Sequence, residues 1–478
     1  MSASTVDVVV VGAGIAGLAT AYELSRHGAS FVVLERASRA GGVILSDTLD
    51  GYTIDGGPDS LLIQKPAAIA LCEEIGLGDR LVTTRPPRLA YIQRGGRLHA
   101  LPAGSMLGIP TRIGPFARTR LFSWAGKLRM GAELFVPPRR NEDDESIGAF
   151  MTRRFGSEAT TYLAEPLLAG IHAGDVNRLS VQALFPRFVD AERRFGSLLR
   201  AFHRGARDAR LKASGTTAAA GAVEGAFKSL PGGLSEMVNA LVGKLGEASV
   251  RLDSAVSAIT GRGPFLVRLS TGEAIEARSV VLATPAYVTS ALTRDRDEEI
   301  SRLSGEIEYA SAATVALAFT RGSIAHPLNG SGFVVPRVEH TGILAASWLS
   351  SKWPDRAPDD RVLLRTFVGG ARDPRALERS DKELISRSIG ALLPLIGVRG
   401  EPLLARVYRW ERGNAQHDVG HLARMAAIDR ALARHPGLFV TGSGFRGVGI
   451  PDCVADGRAT AKRVAAWLQD RNLQLLTR

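Results

Sequence analysis

Residues 6–11, VDVVVV, form an apolar run without a clean alternation, as expected of a strand buried on both faces. The glycine turn GAGIAG follows, and IAGLATAYELSR then places apolar residues at helical spacing. RHGAS breaks that pattern before FVVLE starts a second strand. One βαβ unit is predicted. Near the other end, GLFVTGSGFRGVGIPDCVADGRATAKRVAAWL reads as a strand, a glycine loop and a helix. SLPGGLSEMVNALVGKL followed by VRLDSAVSAI predicts a further helix and strand. IEARSVVLATPAYV, residues 275–288, predicts another strand and its terminal turn.

In the first glycine loop each position has its own task. Gly12 permits the tight turn, Gly14 lets a pyrophosphate approach bare backbone, and Gly17 lets helix and strand pack closely. The phosphates would sit at the helix N-terminus, where free N–H groups and the helix dipole favour negative charge. Glu35, at the end of the second strand, is placed to accept a hydrogen bond from a ribose hydroxyl. This pattern predicts a dinucleotide site without choosing between nicotinamide and flavin.

ERASRAGG, with Glu35, Arg36, Arg39, Gly41 and Gly42, followed by DGYTIDGGPDS, resembles a pattern shared by amine oxidases, phytoene-type desaturases and protoporphyrinogen oxidases. The resemblance implies FAD as cofactor. It implies that Ala13, Ile15, Ala16 and Val43 line the cofactor with the glycines, as do Gly57, Pro58, Asp59 and Ser60. It further implies that Val256 touches the adenine, that Trp410 binds the cofactor, and that the C-terminal residues Val448, Gly449 and Ile450 close over the isoalloxazine end. The fold class expected is α/β mixed: a Rossmann-like, discontinuous FAD-binding domain with inserted substrate-binding and helical domains. Residues 1–85, 225–300 and 400–478 are assigned to the first, 86–110 and 301–399 to the second, and 111–224 to the third, which is a candidate for membrane association.

Within that superfamily, the segments LAGIHAGD and GVGIPDC, supported by IPTRIGPF and SSKWP, resemble the oxygen-dependent protoporphyrinogen and coproporphyrinogen III oxidases. The coproporphyrinogen-using bacterial branch is favoured. The resemblance implies removal of six hydrogens from a porphyrinogen in three two-electron cycles, with electrons passed to O2 and H2O2 released, within heme biosynthesis. The backbone carbonyl of Gly170 would face the pyrrole nitrogens, with His172, Val334 and Phe367 as substrate contacts beside Ser331. Relatives carry tyrosine where this chain has His172, and arginine where it has Asp59, so a propionate contact at Asp59 does not carry over. His172 and His417 are open to two readings, proton transfer or ordinary packing. Rival functions are another flavin oxidase or desaturase, which would share every FAD motif, and a non-catalytic protein on the same fold, which would be expected to have lost part of the cofactor pattern.

Composition changes this picture in only a few places. The chain has 478 residues, 45% hydrophobic and 23% charged, which suits a globular protein with more than one core. No segment reads as a membrane span or secretory signal, so a cytoplasmic location is expected. Cys72 and Cys453 are too few for a disulfide framework or metal cluster, and no metal is expected. The net charge of +12 has no nucleic-acid motif beside it, so nucleic acid is not expected as a partner. A basic rim would favour the four carboxylates of coproporphyrinogen III over the two of protoporphyrinogen IX. Residues 104–135 mix apolar and basic side chains, which suits either a peripheral membrane contact or a helical cap over the substrate cavity. The small-residue stretch 205–226 is expected as a loop. Oligomeric state and docking to other heme-pathway enzymes are left open.

Overall fold

The computed structural model describes residues 4–102, 105–106, 109–110, 112–214 and 225–476. The opening apolar run becomes β1, Ser4–Val11, in which Val8, Val9 and Val10 have no solvent exposure. Helix α1, Ile15–Arg26, and β2, Phe31–Leu34, complete the predicted unit, and β2 pairs parallel to β1. The sheet extends from Val250–Arg251 through β2 and β1 to Ala274–Leu282. That long strand shares its far edge between the antiparallel Phe265–Leu269 and the parallel Leu438–Val440. The centre of this sheet is buried on both faces, as Val8–Val11 and Ser279–Leu282 show, whereas the flanking Phe265–Leu269 alternates buried and more exposed positions.

The terminal helix Ile450–Leu476 packs against α1, and Gly457 is the contact point: a Cβ there would meet the Ala16 carbonyl oxygen at 2.4 Å. Both ends of the chain are joined through that helix pair.

A second seven-stranded sheet runs Leu404–Ala415, Tyr309–Thr320, Arg361–Gly369, Ala345–Trp348, Gly332–Val334, Ala90–Arg94, Arg97–Ala100. Leu404–Ala415, grouped with the first domain on sequence, is an edge strand of this sheet. It pairs with Tyr309–Thr320 along most of its length, except where Glu411, Arg412 and Gly413 stand opposite Ser311 alone. Helix Asp381–Ile396, opened by a Ser380/Glu383 capping box, covers one face through Leu384, Leu392 and Ile396.

The helical region has its own core, with Phe150, Phe155, Leu163 and Phe188 almost fully buried. A buried Arg154–Glu133 ion pair, joined by Glu192, crosses it. Helix Leu198–Ser214 corrects the expectation of a loop beginning at residue 205: alanine and arginine there continue a helix, as their high helix propensity allows. Residues 215–224 of the same stretch lie outside the described residues.

Candidate functional site

The glycines of the first loop divide by what surrounds them. Gly12 has φ +104°, and Gly17 touches the turn so closely that a Cβ would lie 2.0 Å from the Gly12 oxygen. Both are glycines for internal reasons. Gly14 has φ −67°, which suits any residue, and a Cβ there would meet nothing within 4 Å. The protein itself gives no reason for its bareness; a ligand lying on it does. Helix α1 has no side-chain cap at its N-terminus and no acid in its first turn, so its amide end is open to an anion. Glu35 curls back over the loop, accepting from the Ala13 amide at 2.8 Å and the Ala37 amide at 3.0 Å. Arg36 beside it is exposed, and Val256, half-buried, starts the hairpin that follows the Ser254–Glu35 backbone contact.

From Gly14 a run of close backbone contacts leads to the second sheet. Gly14 bridges to Gly41, whose amide donates to the Ala13 carbonyl at 2.8 Å. Arg39 holds this stretch by donating to the carbonyls of Ala40, Gly42 and Ile44. Gly42 and Val43 are exposed, while Gly57 sits where a Cβ would strike the Val43 oxygen. Trp410 Nε1 donates to the Gly56 carbonyl at 2.9 Å, and Thr314 Oγ1 donates to the same oxygen at 2.6 Å. The second sheet therefore meets the 55–60 loop face on.

That meeting is electrostatic. Asp55 pairs with Arg356 at 3.0 Å, both without exposure, and Asp59 pairs with Lys352 at 2.9 Å and Arg365 at 3.3 Å. Arg365 also donates to the carbonyls of Asp55 and Gly57. Burial alone would raise the Asp59 carboxyl, but Lys352 and Arg365 outweigh it and hold it well below the usual carboxylate range. Three cations against two carboxylates leave a net positive charge, and Arg356 Nε and Nη1 and Arg365 Nε have no hydrogen-bond partner among the described residues. A buried excess of positive charge favours an anionic neighbour. The Asp59 side chain is engaged here, with Ser60 Oγ donating to it, so what this stretch offers a cofactor is backbone and Pro58.

On the sheet face, Ile92, Val334, Ala345, Phe367, Thr314 and Tyr408 stand directly opposite one another across six strands. Val334 packs against the helical core and Phe367 against Ala173. Ser331 is tied by its amide to Leu89 at the rim of that sheet. Above the row, Thr160–Ala169 is a π-helix, a form often found at functional sites, and it leads into the loop 170–174. Gly170 has φ −60°, with no atom closer than 3.8 Å to an added Cβ. Like Gly14, it has no internal need to be glycine. Its carbonyl accepts from the Ala173 amide at 3.1 Å and keeps a second lone pair. Ala173 has φ +50°, and the Ala371 amide, donating to its carbonyl at 2.8 Å, holds it there.

His172 lies in the same loop, edge-on to Phe185, with Nδ1 unpartnered. Burial, reinforced by the Lys65 ammonium and partly offset by Asp452, pushes its pKa down to about 4. Lys65 in turn donates to both Asp452 oxygens at 2.8 and 2.7 Å, linking the 61–65 segment to the first turn of the terminal helix. His417 is stacked on His421 with ring centres 3.8 Å apart; their Nε2 atoms meet the carbonyls of Ser443 and Phe445 in the C-terminal glycine loop. That loop starts beside α1: a Cβ on Gly442 would lie 3.7 Å from Ala16 Cβ. Val448 and Gly449 are accessible, and Ile450 is buried at the helix start.

Sequence reasoning missed Lys65, Lys352, Arg356 and Arg365, all contributed by segments whose pairing is tertiary. Both cysteines are buried free thiols with pKa values pushed up to about 12 by burial, and the described residues contain no group suited to a metal.

The open anion site at α1, the bare glycines and the buried positive charge suit an elongated, anionic dinucleotide. Comparisons with known proteins agree. A family model described as flavin containing amine oxidoreductase matches residues 15–465. A coproporphyrinogen III oxidase of Bacillus subtilis is 34% identical, covering 98% of this chain and 100% of its own length. A chloroplastic protoporphyrinogen oxidase of Nicotiana tabacum is 28% identical over 98% of this chain and 86% of its own. A crystal structure from Exiguobacterium sp. 255-15, named provisionally as a protoporphyrinogen oxidase, superposes with a TM-score of 0.83 at 31% identity, covering 98% of this chain and 99% of that one. The chain belongs to the flavin containing amine oxidoreductase family, and its cofactor is FAD.

Proposed function

We propose that this protein oxidises a porphyrinogen, coproporphyrinogen III in preference to protoporphyrinogen IX, with O2 as the electron acceptor and H2O2 as the second product. The observation that carries this reading is the loop 170–174, held over the Val334–Ala345–Phe367 row with a bare glycine at its head. A flat, apolar macrocycle fits between a β-sheet row and a loop, and the free lone pair of the Gly170 carbonyl can accept from its pyrrole N–H groups. Bound FAD supplies two-electron hydride acceptance from a methylene bridge and reoxidation by O2.

The chain's own part is binding and orientation. Phe367 and Val334 form the floor and exclude water, and the 55–60 loop, fixed by Arg365, sets the wall facing the nucleotide groove. His172, neutral at physiological pH, contributes an unpartnered ring nitrogen beside the ligand space. Lys65, Arg178 and Arg337 surround the loop with side chains 42%, 53% and 49% exposed, and they are candidates for propionate partners. Curated relatives named for coproporphyrinogen III reach 34% identity against 28% for one named for protoporphyrinogen, which supports the substrate preference.

The test is paired steady-state oxidation of both porphyrinogens under air, followed by porphyrin fluorescence. A higher kcat/KM for coproporphyrinogen III is expected; a preference for protoporphyrinogen IX overturns the substrate choice, and inactivity of FAD-loaded protein on both overturns the reading.

No helix among the described residues is long and apolar enough to cross a membrane. The helical region nevertheless exposes Ile113 (85%), Trp124 (71%), Leu128 (74%) and Phe135 (84%), with Lys127 folded over Trp124. Such a patch beside basic groups supports peripheral contact with an anionic membrane surface. Flotation with phosphatidylglycerol vesicles should retain the protein and lose the double substitution Trp124→Ser, Phe135→Ser; equal recovery of both would remove this part of the proposal.

A further inference from the structure

Residues 416–421 make an unusual set of contacts for a connection between a strand and a helix. Gln416 Nε2 donates to the His172 carbonyl at 3.0 Å and the Asn414 carbonyl at 2.9 Å. Its Oε1 lies so close to Gly174 that a Cβ there would come within 2.5 Å. This one side chain therefore touches loop 170–174 on both sides of the strained Ala173. Next along, the His417 carbonyl accepts from the Ser180 amide at 2.8 Å, the Val419 amide donates to the Arg178 carbonyl at 2.9 Å, and the Gly420 amide donates to Asp144 at 3.0 Å. On the opposite side, the stacked rings of His417 and His421 hold the Ser443 and Phe445 carbonyls at 2.9 and 2.8 Å.

The two loops that this segment joins are far apart in sequence. Both face the reaction space under the proposed function, one toward the substrate and one toward the cofactor. A hydride transfer depends on their separation, because displacement by about 1 Å can cost on the order of a hundredfold in rate.

We infer that residues 416–421 form a strap that sets the distance between loop 170–174 and the C-terminal glycine loop, with Gln416 positioning the substrate side and the His417–His421 pair positioning the cofactor side. This rests on the proposed function only for its effect on turnover. The mechanical coupling stands apart from it. None of the three side chains is a catalytic residue in this scheme, since each acts through a backbone carbonyl that it holds. Loop 170–174 is over-determined as a result: Ala371 fixes it from the second sheet and Gln416 from the strap, which is how a positive φ at an alanine persists.

Two substitutions in the FAD-loaded protein test this. Gln416→Met removes the amide donor at similar volume, and His421→Phe keeps an aromatic ring for the stack while removing the donor to Phe445. Gln416→Met should lower kcat about tenfold with KM changed far less and with bound FAD retained. His421→Phe should shift the visible flavin absorption bands and also lower kcat. The double variant should lose less than the product of the two single losses, as for residues acting as one unit. Hydrogen exchange gives a readout that needs no turnover. Gln416→Met should raise exchange in 442–447, and His421→Phe should raise it in 170–174, with Val8–Val11 unchanged as a control for intact fold. If each substitution loosens only its own neighbour, or if the two losses simply multiply, the strap is refuted. Inactive wild-type protein with cross-effects in exchange would overturn the proposed function and leave the strap standing.

Discussion

The nucleotide groove and the substrate face are built on opposite plans. At the groove, a single local stretch supplies turn, helix start and acid, and Gly17 is dictated by the Gly12 carbonyl five residues before it, although Gly12 itself is also confined by Ala283. At the proposed substrate face, Gly170, Val334 and Phe367 come from segments far apart in sequence, brought together by strand pairing and by a loop that Gln416 holds. Between them lies the buried charge cluster, where the 55–60 loop of one meets the sheet of the other. Local construction tolerates almost no change in residue type; assembled construction tolerates change in residue type but not in position.

The largest expected effect is at the seam. Arg356→Met leaves Asp55 buried without its cation and should cost about 3–5 kcal/mol in urea unfolding. A loss under about 1 kcal/mol would mean that water reaches the cluster and that the two regions are less firmly joined than their contacts suggest. Next comes the groove itself. Gly17→Ala forces a Cβ onto the Gly12 carbonyl and should destabilise the apoprotein by about 1–3 kcal/mol. Gly14→Ala should leave apoprotein melting unchanged while weakening FAD binding in a titration. Equal effects on apoprotein stability would erase the distinction between glycines kept for the fold and glycines kept for the ligand.

Acid probes the strap. Burial and the adjacent His421 ring, with His172 nearby, push His417 down to about 3 against its hydrogen bond to the Ser443 carbonyl, and burial with Arg424 lowers His421 against its bond to the Phe445 carbonyl and the pull of Asp144. In the unfolded chain both titrate near 6.5. The unfolded state therefore binds protons first, so stability is full above about pH 6.5 and falls as pH drops from there toward about 3. His421→Phe should make melting temperature less dependent on pH in that window; an unchanged slope would assign the acid loss to other groups. The smallest effect is at the floor, where Phe367→Leu should lower kcat/KM about tenfold, with FAD content unchanged.

The same contrast explains what could be read in advance. The βαβ unit, Glu35 and the C-terminal strand, loop and helix are visible in the sequence because their signals are local periodicity and glycine placement. Leu404–Ala415 was harder to place because its half-exposed pattern names no partner strand. The π-helix Thr160–Ala169 leaves no periodic mark, and the helix through residues 205–214 is hidden by small residues that suit a loop equally well. Asp59 was expected at the cofactor, yet nothing near it in sequence announces Lys352 or Arg365. Gln416 carries no mark of its own in the sequence, and its role lies in a carbonyl 244 residues away.

The row of facing residues on the second sheet has an evolutionary consequence. Side chains alternate along each strand, so inserting or deleting one residue inside Tyr309–Thr320 or Arg361–Gly369 would exchange the outward and inward sets at once. The floor can drift by substitution but not by changes in length. The bulge at Glu411–Gly413, with Arg412 at φ +46° and its amide held by Ser311 Oγ at 2.9 Å, lies past Trp410 and outside the row. Length variation is expected to collect there, where the strand already absorbs extra residues before pairing resumes at Asn414 and Ala415, while the row keeps its count like the graduations of a ruler.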